Sequence, residues 1–423
     1  MIDIQQIRDH SEEVIKRLKV RNFDAESLVN ELKELDQLKR QLQKKHDDIL
    51  AESNALAKEI GILFKSGKGA EAEPLKERST NLKTEAKDIY DQLDEANRKF
   101  QELIIRIPNL PHPTVRAGNS EADNEVIHED GMAAKSEQDA LPHWDLAKKY
   151  DIIDFELGTK ITGSGFPVYK GLGARLQRAL ITFFLDEALI AGYTEYQPPL
   201  LVNEDSAFGT GQLPDKDGQM YHVPSDNLYL IPTSEVPITN LFRDTILPEE
   251  ELPVKCTAYS VCFRSEAGSY GKDVRGLNRL HQFDKVEIVQ ITQPENSYRA
   301  LDEMVAHVSM VLKKLEMPFR ITRLCGGDLG FAAALTYDFE VWSAAQGRWL
   351  EVSSVSNFEA YQSNRMKLRY KTSEGKNRLA HTLNGSALAL PRILAALLEN
   401  NQGKEGVHIP TALQAYTGFR YIQ

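Results

Sequence analysis

The stretch FRSEAGSYGKDVRGLNRLHQFDKVE, residues 263–287, holds spaced arginines and glutamates on both sides of a loop rich in glycine and charge. The run before it, VKCTAYSVCF, alternates apolar and polar positions as a half-buried strand does. Successive side chains of a strand point to opposite faces, so Arg264 and Glu266 lie on one face if the strand continues through them. This part of the sequence therefore predicts one edge of a β-hairpin that carries charge on one side.

The second half of the stretch supplies the partner strand. Arg279, Phe283 and Glu287 follow one another at intervals of four, and an even spacing places them on one face of a strand. Pairing the two strands through the loop at 268–276 gives a wall of guanidinium groups, carboxylates and one flat ring. Arginine forks match phosphate and carboxylate oxygens, and an aromatic ring can stack on a base. The alternative is a hairpin of surface salt bridges, and the stretch alone does not separate the two.

Composition limits the classes of protein to consider. The chain has 423 residues, which suggests two or three domains, and 51 Lys and Arg stand against 62 Asp and Glu. This acidic balance excludes a non-specific polycation but not a local nucleic-acid site. The three cysteines form no C-x-x-C pair, the N-terminus does not resemble a signal peptide, and no apolar run reaches membrane-spanning length. We expect a cytoplasmic protein with no membrane partner.

The first hundred residues predict an antiparallel coiled coil. Leu28 and the residues at every seventh position after it are apolar as far as Leu63, and a second seven-residue register runs from Leu75 to Leu103. Gly67, Gly69 and Pro74 lie between the registers, and Pro74 suits the start of the second helix. Two long helices joined by a short turn have little core of their own, so we expect a projecting arm over residues 1–110.

Two functions fit such an arm. It could be an oligomerisation or scaffold coil, which is the common role of heptad helices. It could instead bind nucleic acid, since phosphate contacts need cations. The cations of this kind form a cluster on the first helix and a group near the turn: Lys39, Arg40, Lys44, Lys45, Lys58, Lys65 and Lys68. Acidic residues nearly match them in number, so the charge pattern alone does not decide.

A second domain begins after the arm. Pro108, Pro111 and Pro113 interrupt the helical pattern and mark a boundary, so we assign residues 111–423 to this domain. Runs with strand composition follow one another with hairpin-like links, and residues 173–192 and 385–400 have helical patterns. This order predicts an α+β domain, in which helices flank a mostly antiparallel sheet.

Three motifs in this domain resemble those of class II aminoacyl-tRNA synthetases, in the expected order. FRSE, the loop and the Arg279, Phe283, Glu287 series resemble motif 2; the helix before YTEYQPPL, with Pro199, resembles motif 1; and NGSALALPRILAALLEN, with Arg392, resembles motif 3. GTGQLP, PTSEVPITN, HQFDKVE, EVSSVSN and TLNGS narrow the resemblance to the seryl-tRNA synthetase family of bacterial type. YQSNR departs from the family, because Asn364 replaces an arginine there.

The resemblance implies a reaction in two steps. Serine attacks the α-phosphate of ATP to give seryl-adenylate and pyrophosphate, and the seryl group then passes to the 3′-terminal ribose of tRNA(Ser), and of tRNA(Sec) where that tRNA is present. ATP is a substrate and Mg²⁺ is the implied cofactor. In the family the arm grips tRNA by shape and backbone. Motif 1 lies at a dimer interface in the family, which implies a homodimer.

The resemblance also implies residue roles for the nucleotide. Arg264 contacts the α-phosphate and the serine carboxylate, and Arg392 holds the far phosphates; these are the predicted catalytic residues. Glu266 pairs with the adenine amino group, Phe283 stacks on the base and Arg279 faces the nucleotide. The other positions assigned to the nucleotide site are Ser265, Glu351, Val352, Ser353 and Ser354.

Glu351 and Ser354 resemble the magnesium-binding pair, since Mg²⁺ prefers oxygen ligands. The alternative for Glu351 is a strand-end carboxylate paired with a lysine.

The serine pocket follows from the same resemblance. Thr233 and Glu287 take the ammonium group, and Asn384 and Ser386 lie near the hydroxyl. Ser234 and Glu235, which follow Thr233 in the chain, are assigned to the same pocket. The alternative for Thr233 and Ser386 is a capping role in a helix or loop.

Three rival functions stay open at this point. The first is a paralogue that binds tRNA or a nucleotide without charging; the intact Arg264, Glu287 and Arg392 argue against it. The second is a ligase that loads a small amino acid onto a carrier protein, against which the long arm argues. The third is a coiled-coil scaffold with a decayed domain, against which the complete motif set argues.

Overall fold

The computed structural model of the chain describes residues 1–131, 140–215, 218–265 and 275–423. Those residues divide into two compact units. One comprises Ile2–Lys19 and Phe23–Pro108, and the other Met1, Val20–Asn22 and Asn109–Gln423. None of the longer helices among the described residues is apolar enough over its length to cross a lipid bilayer.

The first unit is helical. Its helices are α1 (Ile4–Lys19), α2 (Glu26–Lys65) and α3 (Gly69–Ile104). The predicted antiparallel pair of long helices is therefore confirmed, and α1 packs on α2 as a third helix that the heptad pattern did not predict.

Alternate turns of α2 and α3 meet in one apolar seam, as the seven-residue registers predicted. The buried members of the seam are Leu42, Ile49, Leu82, Ala86, Ile89, Leu93 and Ala96. The start of α3 differs from the prediction. The helix begins at Gly69, and Pro74 lies inside it, where the missing N–H removes one backbone hydrogen bond near the helix start.

The second unit is α+β, as predicted. Its helices are α4 (His143–Lys149), α5 (Phe155–Ile161), α6 (Gly171–Ile190), α7 (Glu204–Thr210), α8 (Glu235–Asn240), α9 (Ser297–Lys314), α10 (Tyr361–Met366), α11 (Leu390–Asn400) and α12 (Thr411–Thr417). Its central sheet has eight strands, and every adjacent pair but the last at one edge is antiparallel.

The strands of the central sheet are β1 (Glu125–Asp130), β4 (Thr194–Glu195), β9 (Val254–Phe263), β10 (Gln282–Thr292), β11 (Phe319–Arg323), β12 (Leu335–Ser343), β13 (Arg348–Glu359) and β16 (His381–Ala389). Their order across the sheet is β1-β11-β12-β13-β16-β10-β9-β4, and β4 is parallel to β9. The smaller sheets contain β2 (Ile153–Asp154), β3 (Val168–Tyr169), β5 (Leu201–Asn203), β6 (His222–Val223), β7 (Leu228–Leu230), β8 (Ile246–Pro248), β14 (Arg369–Lys371), β15 (Asn377–Leu379), β17 (Gln402–Gly403), β18 (Gly406–His408) and β19 (Tyr421–Ile422).

The main core lies between one face of the central sheet and the helices α6, α9 and α11. Side chains of strand β10 alternate between the two faces of the central sheet. Val286 and Ile288 are fully buried in that core, whereas Phe283, Lys285 and Glu287 point to the other face, where a cleft opens.

Two sequence predictions about this sheet were wrong in detail. Residues 385–400 are not one helix, because 385–389 continue β16 and α11 begins at Leu390. Pro391 lies in the first turn of α11, the helix position that tolerates a residue without an N–H. Strand β10 begins at Gln282, so Arg279 lies in the turn before it and not on the strand.

Candidate active site

The polar face of the central sheet forms the floor of a cleft. Two overlapping cavities of about 720 and 540 Å³ occupy it. Their walls come from β10, β13 and β16, from the residue that follows β9, from residues 233–235 at the start of α8 and from the start of α11. The predicted site residues that line one or both cavities are Thr233, Glu235, Arg264, Arg279, Phe283, Glu287, Glu351, Val352, Ser353, Ser354, Asn384, Ser386 and Arg392. The structure thus brings together residues from six parts of the fold.

Two predicted residues, Ser234 and Ser265, line neither cavity. Ser234 is fully buried, and its hydroxyl lies 2.7 Å from the Ser260 hydroxyl, away from the cavity. Ser265 donates its backbone N–H to the Gln219 carbonyl at 2.9 Å and its hydroxyl to the Gly218 carbonyl. Glu266 lies outside the described residues, as does the loop through residue 274.

Strands β9 and β10 form the predicted hairpin, and Arg264 and Phe283 lie at its end next to the connecting segment. The Arg264 N–H donates to the His281 carbonyl at 2.9 Å, which extends the ladder by one step beyond β9. This register leaves the Arg264 guanidinium 5.2 Å from the centre of the Phe283 ring. A cation beside an open aromatic face is a surface on which a flat base and an anionic group can both bind.

The deep end of the cleft is polar and buried. Glu287 is 1% exposed and forms an ion pair with Lys285, two residues earlier on the same strand. The Thr233 hydroxyl donates to Glu287 Oε2 at 3.2 Å. On the neighbouring strand β16, Ser386 is directly opposite Glu287 in the register. Carboxylate and hydroxyl oxygens thus converge where a small polar ligand can be enclosed.

Glu235 lies next to this pocket. Burial, and then the negative charge of Glu287, raise the pKa of Glu235 to about 7. Gln362 donates to Glu235 Oε1 at 2.6 Å and accepts from the Thr382 hydroxyl at 2.6 Å. These bonds hold the carboxyl group in one orientation at the edge of the cavity.

Arg392 and Glu351 form the far end of the cleft. Arg392 donates from Nε to the Asn278 carbonyl at 3.0 Å and from Nη1 to the Glu351 carbonyl at 2.7 Å. The Glu351 carboxylate is 3.7 Å from Arg392 Nη1, so the structure pairs it with an arginine and not with a lysine. The Ser354 hydroxyl donates to Glu351 Oε1 at 3.4 Å.

Asp338 adds a third source of oxygen atoms beside the Glu351 carboxylate and the Ser354 hydroxyl. It is opposite Ser354 in the β12–β13 register, and its Oδ1 is buried without a hydrogen-bond partner. Burial, and then the Glu351 carboxylate, raise the pKa of Asp338 well above its usual range. Oxygen ligands of this kind suit Mg²⁺, so the residues present fit such an ion.

Sequence reasoning missed several residues of the site. Lys285 had a usable signal, because it lies midway between Phe283 and Glu287 on the same face of one strand. Gln362 and Thr382 had none, since they reach Glu235 only through the tertiary fold.

The YQSNR segment, which departs from the family pattern, is now explained in part. Asn364 Nδ2 donates to the Met1 carbonyl at 3.0 Å. The adjacent Arg365 donates to the carbonyls of Phe208 and Leu213, at 3.0 and 2.9 Å. Arg365 therefore stabilises the GTGQLP turn at the edge of the cleft.

Comparison with known proteins identifies two family regions. Residues 1–111 match the seryl-tRNA synthetase N-terminal domain. Residues 221–401 match the tRNA synthetase class II core domain (G, H, P, S and T).

Similar proteins extend over the whole chain. A serine–tRNA ligase of Salinibacter ruber is 50% identical, over 100% of this chain and 99% of its own length. The crystal structure of a seryl-tRNA synthetase from Pyrococcus horikoshii, complexed with ATP, matches with a TM-score of 0.92 and 33% identity over 99% of both chains. That of a cytoplasmic serine–tRNA ligase from Naegleria fowleri, in complex with AMP, matches with a TM-score of 0.88 and 27% identity, over 100% of this chain and 99% of that one. The chain belongs to the seryl-tRNA synthetase family.

Proposed function

We propose that this chain attaches L-serine to the 3′-terminal ribose of tRNA(Ser) in an ATP-dependent reaction, through seryl-adenylate. The observation that carries the proposal is the order of groups along one cleft. The Arg264–Phe283 surface suits a nucleotide and its α-phosphate, and the buried Thr233–Glu287 end suits a small ammonium ion. The two ends line one cavity of about 540 Å³, which places an amino acid beside a nucleotide.

In the first step, a serine carboxylate oxygen attacks the α-phosphate and pyrophosphate leaves. Arg264 neutralises charge on the α-phosphate and orients the carboxylate, while Phe283 stacks on adenine. Arg392 and Arg279 bind the far phosphates and the nucleotide. No residue forms a covalent intermediate, so the rate depends on positioning and on charge stabilisation. In the second step, a ribose hydroxyl of the tRNA attacks the adenylate carbonyl and AMP leaves.

Glu287 and Thr233 bind the serine ammonium group in this proposal, and Asn384 and Ser386 bind its hydroxyl. Ser386 is opposite Glu287, so both recognition points come from adjacent strands of one rigid sheet. A pocket that hydrogen-bonds a hydroxyl rejects an analogue without it, because its own polar groups are then left unpaired. The Ser353 hydroxyl donates to the Ser386 carbonyl at 2.6 Å, which ties β13 to β16 beside the pocket.

Mg²⁺ is the proposed cofactor, with Glu351 and Ser354 as its protein ligands. When bound, it would neutralise charge on the nucleotide phosphates. The short distance between Glu351 and Ser354, and their place on one strand with Arg392 close by, support this assignment.

The arm is proposed to grip the tRNA through its phosphates. On α2 and near the turn, Lys44, Lys58 and Lys65 are exposed. Lys45 and Lys68 are exposed too, but they form ion pairs with Glu85 and Glu71. Lys44, Lys58 and Lys65 are therefore the best candidates for phosphate contacts. The same arm and acceptor chemistry would serve tRNA(Sec). We also propose that the chain is located in the cytoplasm.

A homodimer is also proposed. Exposed apolar side chains lie on several elements of the second unit, and Ile161 of α5 and Ile190 of α6 are 74% and 76% exposed. Apolar surface of this kind is often covered by a second subunit.

The mass of the particle measured by analytical sedimentation should be twice the chain mass of 47.7 kDa. A particle of one chain mass at micromolar concentration would refute the dimer.

Serine-dependent exchange of pyrophosphate into ATP, without tRNA, tests the active site. We expect exchange with serine and roughly 10⁴-fold less efficient exchange with alanine, which lacks the hydroxyl. Arg264→Ala should lower the exchange rate at least about 100-fold, because a charge-stabilising donor at the reacting phosphate is lost.

Arg378→Ala is the matched control for this loss of an arginine. Arg378 pairs with Glu295 on the surface and does not line the cleft, so its exchange rate should equal that of the unmodified chain. Absence of serine-dependent exchange in the unmodified chain would refute the proposed function, and full exchange in Arg264→Ala would refute the role of that residue.

The raised pKa of Glu235 predicts a pH dependence of serine use. With a pKa of about 7, the carboxyl group gains a proton as the pH falls through neutrality and loses its attraction for an ammonium ion. We expect log(kcat/KM) for serine to fall with unit slope below about pH 7. Glu235→Gln should lower kcat/KM but give a flat profile between about pH 6 and 8, and an unchanged slope would assign the titration to another group.

Replacing the exposed arm lysines should weaken tRNA use alone. In the triple variant Lys44→Ala, Lys58→Ala, Lys65→Ala, we expect a higher KM for tRNA. The slope of log affinity for tRNA against log salt concentration should become smaller by about one for each lost phosphate contact. Adenylate formation should be unchanged. The control is Lys68→Ala with Lys76→Ala, two lysines already paired with glutamates of α3. Equal effects of both sets would argue for a general charge effect.

A further inference from the structure

A buried histidine outside the cleft connects α4, α11 and the backbone that leads into β10. His143, the first residue of α4, and Glu399, near the end of α11, are both fully buried. His143 Nδ1 lies 2.7 Å from Glu399 Oε1, and the Leu277 N–H donates to His143 Nε2 at 2.9 Å. Because Nε2 accepts a hydrogen bond, the proton of the neutral ring is on Nδ1, which donates to Glu399.

Glu399 is itself held by several donors. Its Oε2 accepts from the Ser343 hydroxyl, and its Oε1 also accepts from the His143 N–H at 3.0 Å and from Gln346 Nε2 at 3.2 Å. Burial alone would raise the pKa of Glu399, but the hydrogen bonds from His143 and Ser343 outweigh it and lower the pKa. The carboxylate is therefore a fixed, charged anchor for the imidazole.

The segment that receives these contacts is short and tightly fitted. Gly276 has φ +69°, and a side chain there would begin 2.2 Å from His143 Nε2. The Arg275 guanidinium lies 4.7 Å from the centre of the Trp144 ring, next to His143. Three consecutive residues, 275–277, thus contact the start of α4, which leaves this backbone little freedom.

The next residue, Asn278, connects this backbone segment to the cleft. The Asn278 carbonyl accepts from Arg392 Nε at 3.0 Å, and Asn278 Nδ2 donates to Gln346 Oε1 at 3.0 Å. Gln346 in turn donates to Glu399. Asn278 is therefore connected to the His143–Glu399 pair both through the backbone of Leu277 and through Gln346.

We propose that His143 is a positioning residue for the far phosphates of ATP: with Glu399 it sets the Leu277–Asn278 backbone, whose carbonyl orients the Arg392 guanidinium. His143 does not touch the cleft and acts through Asn278. This inference rests on the proposed function only for the role of Arg392 toward phosphates.

The test distinguishes the hydrogen bonds made by the two nitrogens of the His143 ring. Asparagine at position 143 places an amide where Nδ1 lies and can still donate to Glu399, but it has no group that reaches the Leu277 N–H. Gln reaches as many bonds from Cβ as Nε2 does, so its oxygen can accept from Leu277. The variants are His143→Asn and His143→Gln, and the probes are ATP and AMP at equal free Mg²⁺, measured by calorimetry.

In His143→Asn we expect ATP to bind about tenfold more weakly, because an unpaired buried N–H lets the Leu277–Asn278 backbone shift and Arg392 with it. The affinity for AMP, which lacks the far phosphates, should change less than about twofold. His143→Gln should restore the affinity for ATP to within about threefold of that of the unmodified chain. A purely structural role would lower the melting temperature without separating ATP from AMP.

His307→Asn controls for the loss of a buried histidine. His307 of α9 is 7% exposed, and both its ring nitrogens are buried without a hydrogen-bond partner, so this variant should be less stable but should bind ATP normally. If His143→Asn does not fold, Ser343→Ala removes one donor to Glu399, and it should weaken ATP two- to threefold with AMP unchanged.

Unchanged ATP affinity in His143→Asn, an equal loss for ATP and AMP, or no recovery in His143→Gln would each overturn the inference. The outcome is distinct from failure of the proposed function. A chain that binds ATP but shows no serine-dependent exchange refutes the function and leaves the ATP and AMP comparison valid.

Discussion

The buried Lys285–Glu287 pair is the interaction on which the cleft depends. Both residues belong to β10, whose neighbours Val286 and Ile288 face the apolar core, and the two charged groups are 6% and 1% exposed. Removing a charge from water costs several kcal/mol, and a partner left alone after a truncation is strongly destabilising. One strand therefore ties the stability of the core to the presence of an acidic pocket, and neither face can be changed without consequences for the other.

The same principle extends outward from the pocket. Glu235 is held by Gln362, and Gln362 by Thr382, while the far end of the cleft is held through Asn278 by His143 and Glu399. The polar groups in these two series have defined partners, which fix their direction before any ligand arrives. Groups that are already oriented need no reorganisation during the reaction, and that is where most of the electrostatic stabilisation in a phosphoryl site arises. The structure thus supports the cleft with layers of hydrogen bonds and not with one rigid element.

The arm obeys a different constraint. Its seam is apolar in one row, but the companion row is polar at Lys39 and His46. The Lys39 ammonium lies 3.9 Å from the centre of the Phe100 ring, and the His46 ring lies 5.9 Å from that of Tyr90. Long side chains can cover an apolar neighbour with their stems and keep their polar ends in water, so a two-helix seam tolerates them. The arm gains solubility in this way without losing the packing that keeps its helices paired.

Periodic patterns in the sequence alone determined much of the secondary structure and part of the site. The heptads of α2 and α3, the alternation of β9 and β10 and the spacing of Arg264, Phe283 and Glu287 all follow from local geometry, because helix and strand periods are the same in every fold. Tertiary structure decided the remainder. The division of 385–400 into β16 and α11 and the position of Arg279 before β10 depend on neighbouring strands. The contacts of Gln362 with Glu235 and of His143 with Leu277 join residues more than a hundred positions apart, and Thr382 contacts Gln362 across 20 positions. A local pattern does not show such partners, since only the folded domain brings them within hydrogen-bond distance.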